Sequence, residues 1–266
     1  MKKTIIMKFS LVVASILYCN TSAIAKEEVS KVSSDKVTLV NIAGKQRMLS
    51  QRIAKDYMYA GNGVAVAKAN KQLMSSLKEL KDGHNKLEES INDEEIKNLL
   101  SFVAMSSEDF EATAKEKFTT DNAQLILDLS ESMLEGSQYV VDSLKTAVKI
   151  KSVKVVDIAG RQRMLSQRIA KYYIAYQTGI KDKNTVTQMQ RSVKLFEESH
   201  KILMSNKTNT PEINRELNKI DRLWKIVNKF YLNIEKGGLP KIVFKTTDDI
   251  SKKMNRVTSL YVKLNK

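Results

Sequence analysis

The chain has 266 residues, of which 42% are hydrophobic and 6% aromatic, and it contains only two prolines. This composition allows a packed core, excludes general disorder, and favours helices over a β-sandwich. The formal net charge of +15 would suggest nucleic acid as the partner of a cytoplasmic protein; outside the cytoplasm it suggests small anions or anionic envelope surfaces, unless the lysines only form a solvated face.

The first 25 residues have the pattern of a signal peptide. Lys2 and Lys3 form a basic start, an apolar run extends from Phe9 to Tyr18, and Ala23-Ile24-Ala25 provides a small-x-small cleavage site. The apolar run is shorter than the ~20 residues that span a bilayer, which favours cleavage over the alternative of a retained anchor. We therefore predict an extracytoplasmic, periplasmic protein and no nucleic-acid partner.

Cys19, the only cysteine, lies in this removable segment. The mature chain would then have no disulfide, thiol nucleophile or cysteine metal ligand. No later segment is long and apolar enough to span a membrane, and the chain ends at Lys266 without a kinase. Any signal would therefore pass to a separate membrane-bound protein.

Breaker residues divide the remaining chain into two sets of four helical stretches. Short loops between four helices are typical of an up-down bundle. The expected fold is all-α, with two tandem four-helix bundles. The expected stretches are Asp35–Ala60, Val64–Ser90, Asp93–Phe118 and Asp121 onward in the first set, and Val153–Thr178, Asn184–Ser205, Pro211–Lys236 and Pro240–Leu264 in the second.

No strong breaker separates Asp121 from Thr178. The last helix of the first bundle could therefore continue into the first helix of the second. At 1.5 Å per residue such a straight helix would be a rod of ~85 Å. A bend near Lys149–Lys154 is the alternative.

An internal repeat is the strongest signal in the sequence. Residues 40–55 read VNIAGKQRMLSQRIAK and residues 156–171 read VDIAGRQRMLSQRIAK, so the two blocks differ only at Asn41/Asp157 and Lys45/Arg161. Weaker correspondence continues beyond the block, for example between Tyr57 and Tyr173. The repeat indicates duplication of a whole structural unit, and we expect domains at 26–150 and 151–266 after the signal peptide.

Within each block, one arginine has unusual surroundings. On a helix, Arg47 falls on a strip with Ala43, Ser50 and Ala54, where another helix could approach closely. Its planar guanidinium suits a small anion, with serine or glutamine satisfying further acceptor positions. The alternative is that Arg47 merely pairs with a carboxylate on a neighbouring helix.

The motif A-G-[KR]-Q-R-M-L-S-Q-R resembles the signature of the type IV pili methyl-accepting chemotaxis transducer N-terminal (PilJ-like) family. It is also similar to the ligand-binding block of nitrate/nitrite sensor kinases (NarX-like). That resemblance implies that the block lies on the first helix of an extracytoplasmic four-helix bundle. It also implies that the first arginine, Arg47 or Arg163, binds an anion across a dimer seam. The second arginine of the motif corresponds to Arg52 and Arg168.

The predicted function is that of an exported sensory protein, which binds a nitrate-like or carboxylate-like anion and reports to a membrane-bound signalling protein or a homodimer partner. The alternative is a structural or interaction protein of the cell envelope that binds no small ligand. The predicted ligand-binding residues are Arg47, Arg163, Gln51, Gln167, Ser50 and Ser166.

Other chemistry finds little support in the sequence. His84 and His200 are the only histidines and have no further ligands at metal-binding spacing. No C-x-x-C-H haem site, nucleophile motif or phosphate-binding loop is present. We therefore predict no catalytic activity, no metal and no cofactor, although non-covalent haem is a rival possibility for a helical bundle.

Overall fold

A computed structural model describes residues 35–147, 153–236 and 238–264. The predicted signal peptide, residues 1–25, lies outside these ranges. Within them the chain forms eight α-helices, one 3₁₀ turn and no strand, which confirms the all-α prediction. The helices are α1 (35–61), α2 (Val66–Ser90), α3 (Glu94–Lys115), α4 (Thr120–Ala147), α5 (Val153–Gln177), α6 (Lys183–Met204), α7 (Pro211–Leu232) and α8 (Pro240–Lys263), and the 3₁₀ turn is Ile234–Lys236.

Several helices begin where the sequence supplies a capping side chain. Asp93 accepts a hydrogen bond from the Ile96 amide at 3.1 Å, Asp182 one from Thr185 at 2.9 Å, and Thr210 one from Ile213 at 3.3 Å. These bonds satisfy amides that have no partner inside the helix. The predicted helix bounds differ from the observed ones by a few residues. The largest difference is at Leu232, where α7 ends before the 3₁₀ turn.

The eight helices form two tandem units, α1–α4 and α5–α8. In the first unit α3 packs on α4, and in the second α5 packs on α6 and α8 while α7 packs on α8. Trp224 of α7 stacks on Phe196 of α6 with ring centroids 4.1 Å apart. The buried apolar side chains of both units belong to one continuous core, so the units lie against each other.

A straight rod from α4 into α5, one of the two possibilities that the sequence left open, is not observed. The Lys145 ammonium lies 3.0 Å from Asp157 and the Lys171 ammonium 2.7 Å from the Ser130 hydroxyl, so α4 and α5 lie side by side and antiparallel. These polar side chains find their partners across the contact between α4 and α5. The connecting residues 148–152, which include most of the alternative bend region, lie outside the described residues.

Helices α1 and α5 lie next to each other and run in the same direction. Near their starts, Arg163 donates to Asn41. Further along, Gln51 of α1 and Lys171 of α5 both donate to Ser130 of α4, to its carbonyl and its hydroxyl respectively. The repeat thus places the two units around a pseudo-two-fold axis, like two protomers joined in one chain.

None of the helices in the described ranges combines the length and the apolar character needed to cross a bilayer.

Candidate functional site

The two arginines of the repeated block meet where α1 passes α5. A Cβ atom at Gly44 would lie 3.1 Å from Nη2 of Arg47 and 3.8 Å from Nη2 of Arg163. At Gly160 the corresponding distances would be 3.7 Å to Arg47 and 3.3 Å to Arg163. The absence of these two side chains leaves room for both guanidinium groups, whose residues are 0% and 1% exposed. The close approach expected at the small-residue strip is therefore observed.

Arg47 has a carboxylate partner from the other unit. Its Nη2 donates to Oδ1 of Asp157 at 2.7 Å, and its Nη1 donates to Oε1 of Gln138 at 2.6 Å. Burial alone would raise the pKa of Asp157, but attraction and hydrogen bonding by Arg47 and Lys145 bring that pKa below its usual value. Arg47 therefore forms the ion pair with a carboxylate on a neighbouring helix that the alternative interpretation expected.

Arg163 has only neutral partners. Its Nη2 donates to Oδ1 of Asn41 at 2.9 Å, and its Nη1 donates to Oδ1 of Asn255 at 2.8 Å. Burial, followed by repulsion from Arg47, lowers the pKa of Arg163 to about 9. In the described parts of the chain no carboxylate forms an ion pair with this arginine. Among the described residues, Asp157 is therefore the one carboxylate that forms an ion pair with either buried guanidinium group, and it contacts Arg47.

The predicted glutamines and serines lie one turn further along the same helices. The hydroxyls of Ser50 and Ser166 donate to the carbonyls of Arg47 and Arg163, at 3.0 and 2.8 Å. Gln51 donates to the Ser130 carbonyl at 2.8 Å.

Several buried polar atoms around the arginines have no hydrogen-bond partner among the described residues. They comprise the side-chain Nε of Arg47, the Nε of Arg163, and both amide atoms of Gln167. Buried donors normally have partners, so these atoms offer hydrogen-bonding capacity to a bound molecule.

A cleft opens on one side of the molecule beside a hydrogen-bond partner of Arg163. It has a volume of about 410 Å³, lies between α1, α2 and α8, and includes Asn255, the partner of Arg163, in its wall. Basic side chains predominate slightly over acidic ones along it. The charged residues that line it are Lys45, Arg52, Lys68, Lys252, Glu79, Asp248 and Asp249.

A second pair of cross-unit contacts was not predicted from the sequence. Lys171 lies 2.6 Å from Glu131, and Lys55 lies 2.6 Å from Asp248. Both lysines are fully buried. Burial lowers the pKa of Lys171 to about 8 despite the attraction of Glu131. Burial would raise the pKa of Glu131, but Lys171 and Arg168 lower it to about 2.

The two lysines differ in their neighbours. Lys55 has a second carboxylate, Asp56, 3.1 Å away, whereas Lys171 is followed by Tyr172, whose ring centroid lies 4.3 Å from the ammonium. Burial raises the pKa of Asp56 to about 6, although Lys55 opposes this shift. Both side-chain oxygens of Asp56 are buried without a hydrogen-bond partner in the described chain.

The histidines lie apart from these clusters. His84 lies 3.2 Å from Glu88 of its own helix, and the buried His200 stacks on Phe196 with centroids 6.0 Å apart. No group of three or more potential metal ligands occurs in residues 35–147, 153–236 and 238–264.

The residues that bind the two arginines were difficult to predict from the sequence. The difference Asn41/Asp157 was visible, but the partner arginine lies six positions further along in the other copy of the block. Gln138 and Asn255 occupy equivalent places with an offset of 117 residues, as do Glu131 and Asp248, whereas the block repeats at 116. A comparison at a fixed offset therefore misses these pairs.

A family model described as "Type IV pili methyl-accepting chemotaxis transducer N-term" matches the chain twice, over residues 29–132 and 149–259. No curated protein and no solved structure matches the chain.

Proposed function

The chain belongs to the type IV pili methyl-accepting chemotaxis transducer N-terminal family, as two tandem copies, and on this basis we propose that it is an exported protein that senses a small anion. The family consists of sensory domains of chemotaxis transducers rather than enzymes. In our proposal residues 1–25 direct export to the periplasm, and units 26–150 and 151–266 form one module. The module reports to a separate membrane-bound signalling protein.

The observation that carries the proposal is the unequal number of buried charges between α1 and α5. Arg47 and Arg163 are both buried, and only Asp157 among their contacts is anionic. A buried charge without a counter-charge is costly. A small monoanion beside Arg163 would supply the counter-charge, so the protein should bind it and become more stable.

The geometry of the donors favours a planar anion, nitrate-like or carboxylate-like. A guanidinium presents a flat fork of N–H groups that matches two oxygens in one plane. We propose that Arg163 and Gln167 contact the anion directly and that Arg47 adds its free Nε. Ser50, Ser166 and Gln51 complete the site one turn away.

One observation favours the alternative of an envelope interaction protein without a small ligand. Asp157 already neutralises Arg47, as an internal carboxylate can do permanently. On this reading the arginine pair only holds the two units together.

Calorimetric titration of the purified protein with sodium nitrate and sodium acetate, in chloride-free buffer, tests the proposal. Arg163→Gln removes charge-assisted hydrogen bonds worth about 1.5–3 kcal/mol, so affinity should fall about 10- to 150-fold. Arg163→Lys should also weaken binding, because an ammonium lacks the planar fork. Arg191→Gln, which removes an exposed arginine of the second unit, is the matched control and should bind normally.

A wild-type protein that binds neither anion would support the scaffold alternative. Unchanged binding in the double variant Arg47→Gln, Arg163→Gln would place the ligand elsewhere. In the expected case the bound anion also raises the melting temperature of wild type by mass action, but not that of the double variant.

A further inference from the structure

The two units have the same fold but very different charge. Residues 35–147 contain 14 lysines and arginines and 18 aspartates and glutamates, which gives −4. Residues 153–264 contain 23 basic and 10 acidic residues, which gives +13. A solvated face alone would not require this separation, so the second unit carries the positive field of the molecule.

The connection between α7 and α8 concentrates lysines around exposed apolar side chains. Leu232 is 70% exposed, Leu239 54% and Ile242 40%. Four lysines around these side chains are exposed, and Glu235 is the only acidic residue from 229 to 245. We call the three apolar side chains and these lysines the basic end patch; the lysines are Lys229, Lys236, Lys241 and Lys245.

The turn between α5 and α6 adds to the same end of the second unit. The Gln177 amide donates to the Ile234 carbonyl at 3.1 Å, which fixes the end of α5 against the α7–α8 connection. A few residues later, Lys181 and Lys183 are exposed on either side of Asp182. The α5–α6 turn therefore adds two exposed lysines to this end of the unit.

The corresponding connection in the first unit joins α3 and α4 and lacks this combination of exposed apolar side chains and excess lysine. It comprises residues 116–119 and is shorter than the α7–α8 connection, residues 233–239. Its one large apolar side chain, Phe118, packs on Tyr57 with centroids 5.6 Å apart. Glu116 and Lys117 balance each other in charge. Duplication of the fold therefore does not explain the basic end patch.

We propose that the basic end patch binds the surface of a bilayer that contains anionic phospholipids. Separate leucine and isoleucine side chains can enter the headgroup region while surrounding lysines meet lipid phosphates. The long lysine side chains can keep their charge at the interface. All the positive charge of the patch comes from lysine, which is depleted in protein–protein interfaces. A lipid surface therefore fits better than a protein partner.

Co-sedimentation of the purified protein with lipid vesicles tests this proposal. Wild type should sediment with vesicles of phosphatidylglycerol mixed with phosphatidylcholine and not with phosphatidylcholine alone. The variant Lys236→Glu, Lys241→Glu should lower partitioning about tenfold or more, since each lysine near an anionic surface contributes to binding. The variant Leu232→Ser, Leu239→Ser should also lower it, because insertion of apolar side chains is lost.

Matched controls lie in the first unit. Lys71→Glu, Lys86→Glu makes the same change of net charge, and Met105→Ser removes an equally exposed apolar side chain; all these variants should bind vesicles like wild type. Equal partitioning of wild type to both vesicle types would overturn the proposal, as would unaffected binding of the patch variants. The proposal would also be overturned if the protein did not bind vesicles but bound a protein partner through the patch. Arg163→Gln should leave vesicle binding unchanged, so failure of this proposal can be distinguished from failure of the proposed anion site.

Discussion

Arg47 and Arg163 occupy the same position in two nearly identical blocks, yet their electrostatic surroundings differ. Arg47 faces Asp157, whereas Arg163 faces Asn41, and this is one of only two differences between the blocks. Each arginine is therefore controlled by a residue of the other unit. A single carboxylate decides which arginine is neutralised internally and, in the proposed function, which one is left to attract a ligand.

The second layer of polar contacts shows the same kind of asymmetry. Lys55 of the first unit has two carboxylates nearby, Asp248 and Asp56. Among the described residues, Lys171 of the second unit forms an ion pair only with Glu131, and it has the Ser130 hydroxyl as a neutral partner. The repeated residues are thus held by different chemistry in the two halves, and substitutions at equivalent positions should have unequal effects.

The largest effect is expected for Glu131→Gln. It leaves the buried ammonium of Lys171 and the guanidinium of Arg168 without their carboxylate. Removal of one partner of a fully buried pair costs about 3–5 kcal/mol, and the loss should lie near the lower value because the Glu131 side chain is 31% exposed. Asp248→Asn, the matched variant, should cost less, because Lys55 keeps Asp56. Urea unfolding followed by circular dichroism at neutral pH measures both losses, and equal losses would contradict the asymmetry.

The reciprocal exchange at positions 41 and 157 should have the next largest effect. Asp157→Asn leaves Arg47 without a carboxylate and should destabilise the anion-free protein by about 3 kcal/mol, with recovery on addition of nitrate. Asn41→Asp should weaken anion binding about 10- to 150-fold, because the new carboxylate occupies Arg163. In the double exchange, anion binding should depend on Arg47 instead of Arg163. Calorimetry that still finds Arg163 essential in the double exchange would contradict this assignment.

The smallest effect is the pH dependence that Asp56 gives to the first unit. Burial raises its folded-state pKa to about 6 from 3.8. The folded protein therefore holds this proton more tightly than the unfolded chain, and stability is lost as pH rises between these two values. Asp56→Asn should stabilise the protein by about 2–3 kcal/mol above about pH 7 and change little below about pH 4.

Tyr172→Phe is the control for this prediction, since Tyr172 stands at the equivalent place in the second unit. It removes no carboxylate, so the difference in unfolding free energy from wild type should stay constant between about pH 4 and pH 7. If Asp56→Asn also gave a constant difference, the assigned role of Asp56 would be refuted.

The helices could be predicted because residues near their ends mark them, and the duplication because one block of sequence occurs twice. Pro211 and Pro240 mark helix starts, and the small residues around Arg47 indicate the close approach of another helix. The return of α5 along α4 could not be predicted, because no breaker stands between Asp121 and Thr178 and the chain direction depends on distant contacts such as Lys171 with Glu131. Likewise, nothing near Asp157 in sequence reveals that Arg47 is its partner.

Because both halves belong to a single chain, the net charge of the site between them is not restricted as it would be in a homodimer. In a homodimer of one-unit chains every substitution appears twice across the axis, so the site on that axis has an even formal charge. An aspartate in place of Asn41 would then come with its copy, and two carboxylates would cancel two guanidinium groups. Here the position equivalent to Asp157 in the other unit is Asn41, so the carboxylate has no counterpart. A single chain can thus hold an odd charge where a symmetric dimer cannot, and in the proposed function one monovalent anion would balance the charge of Arg163.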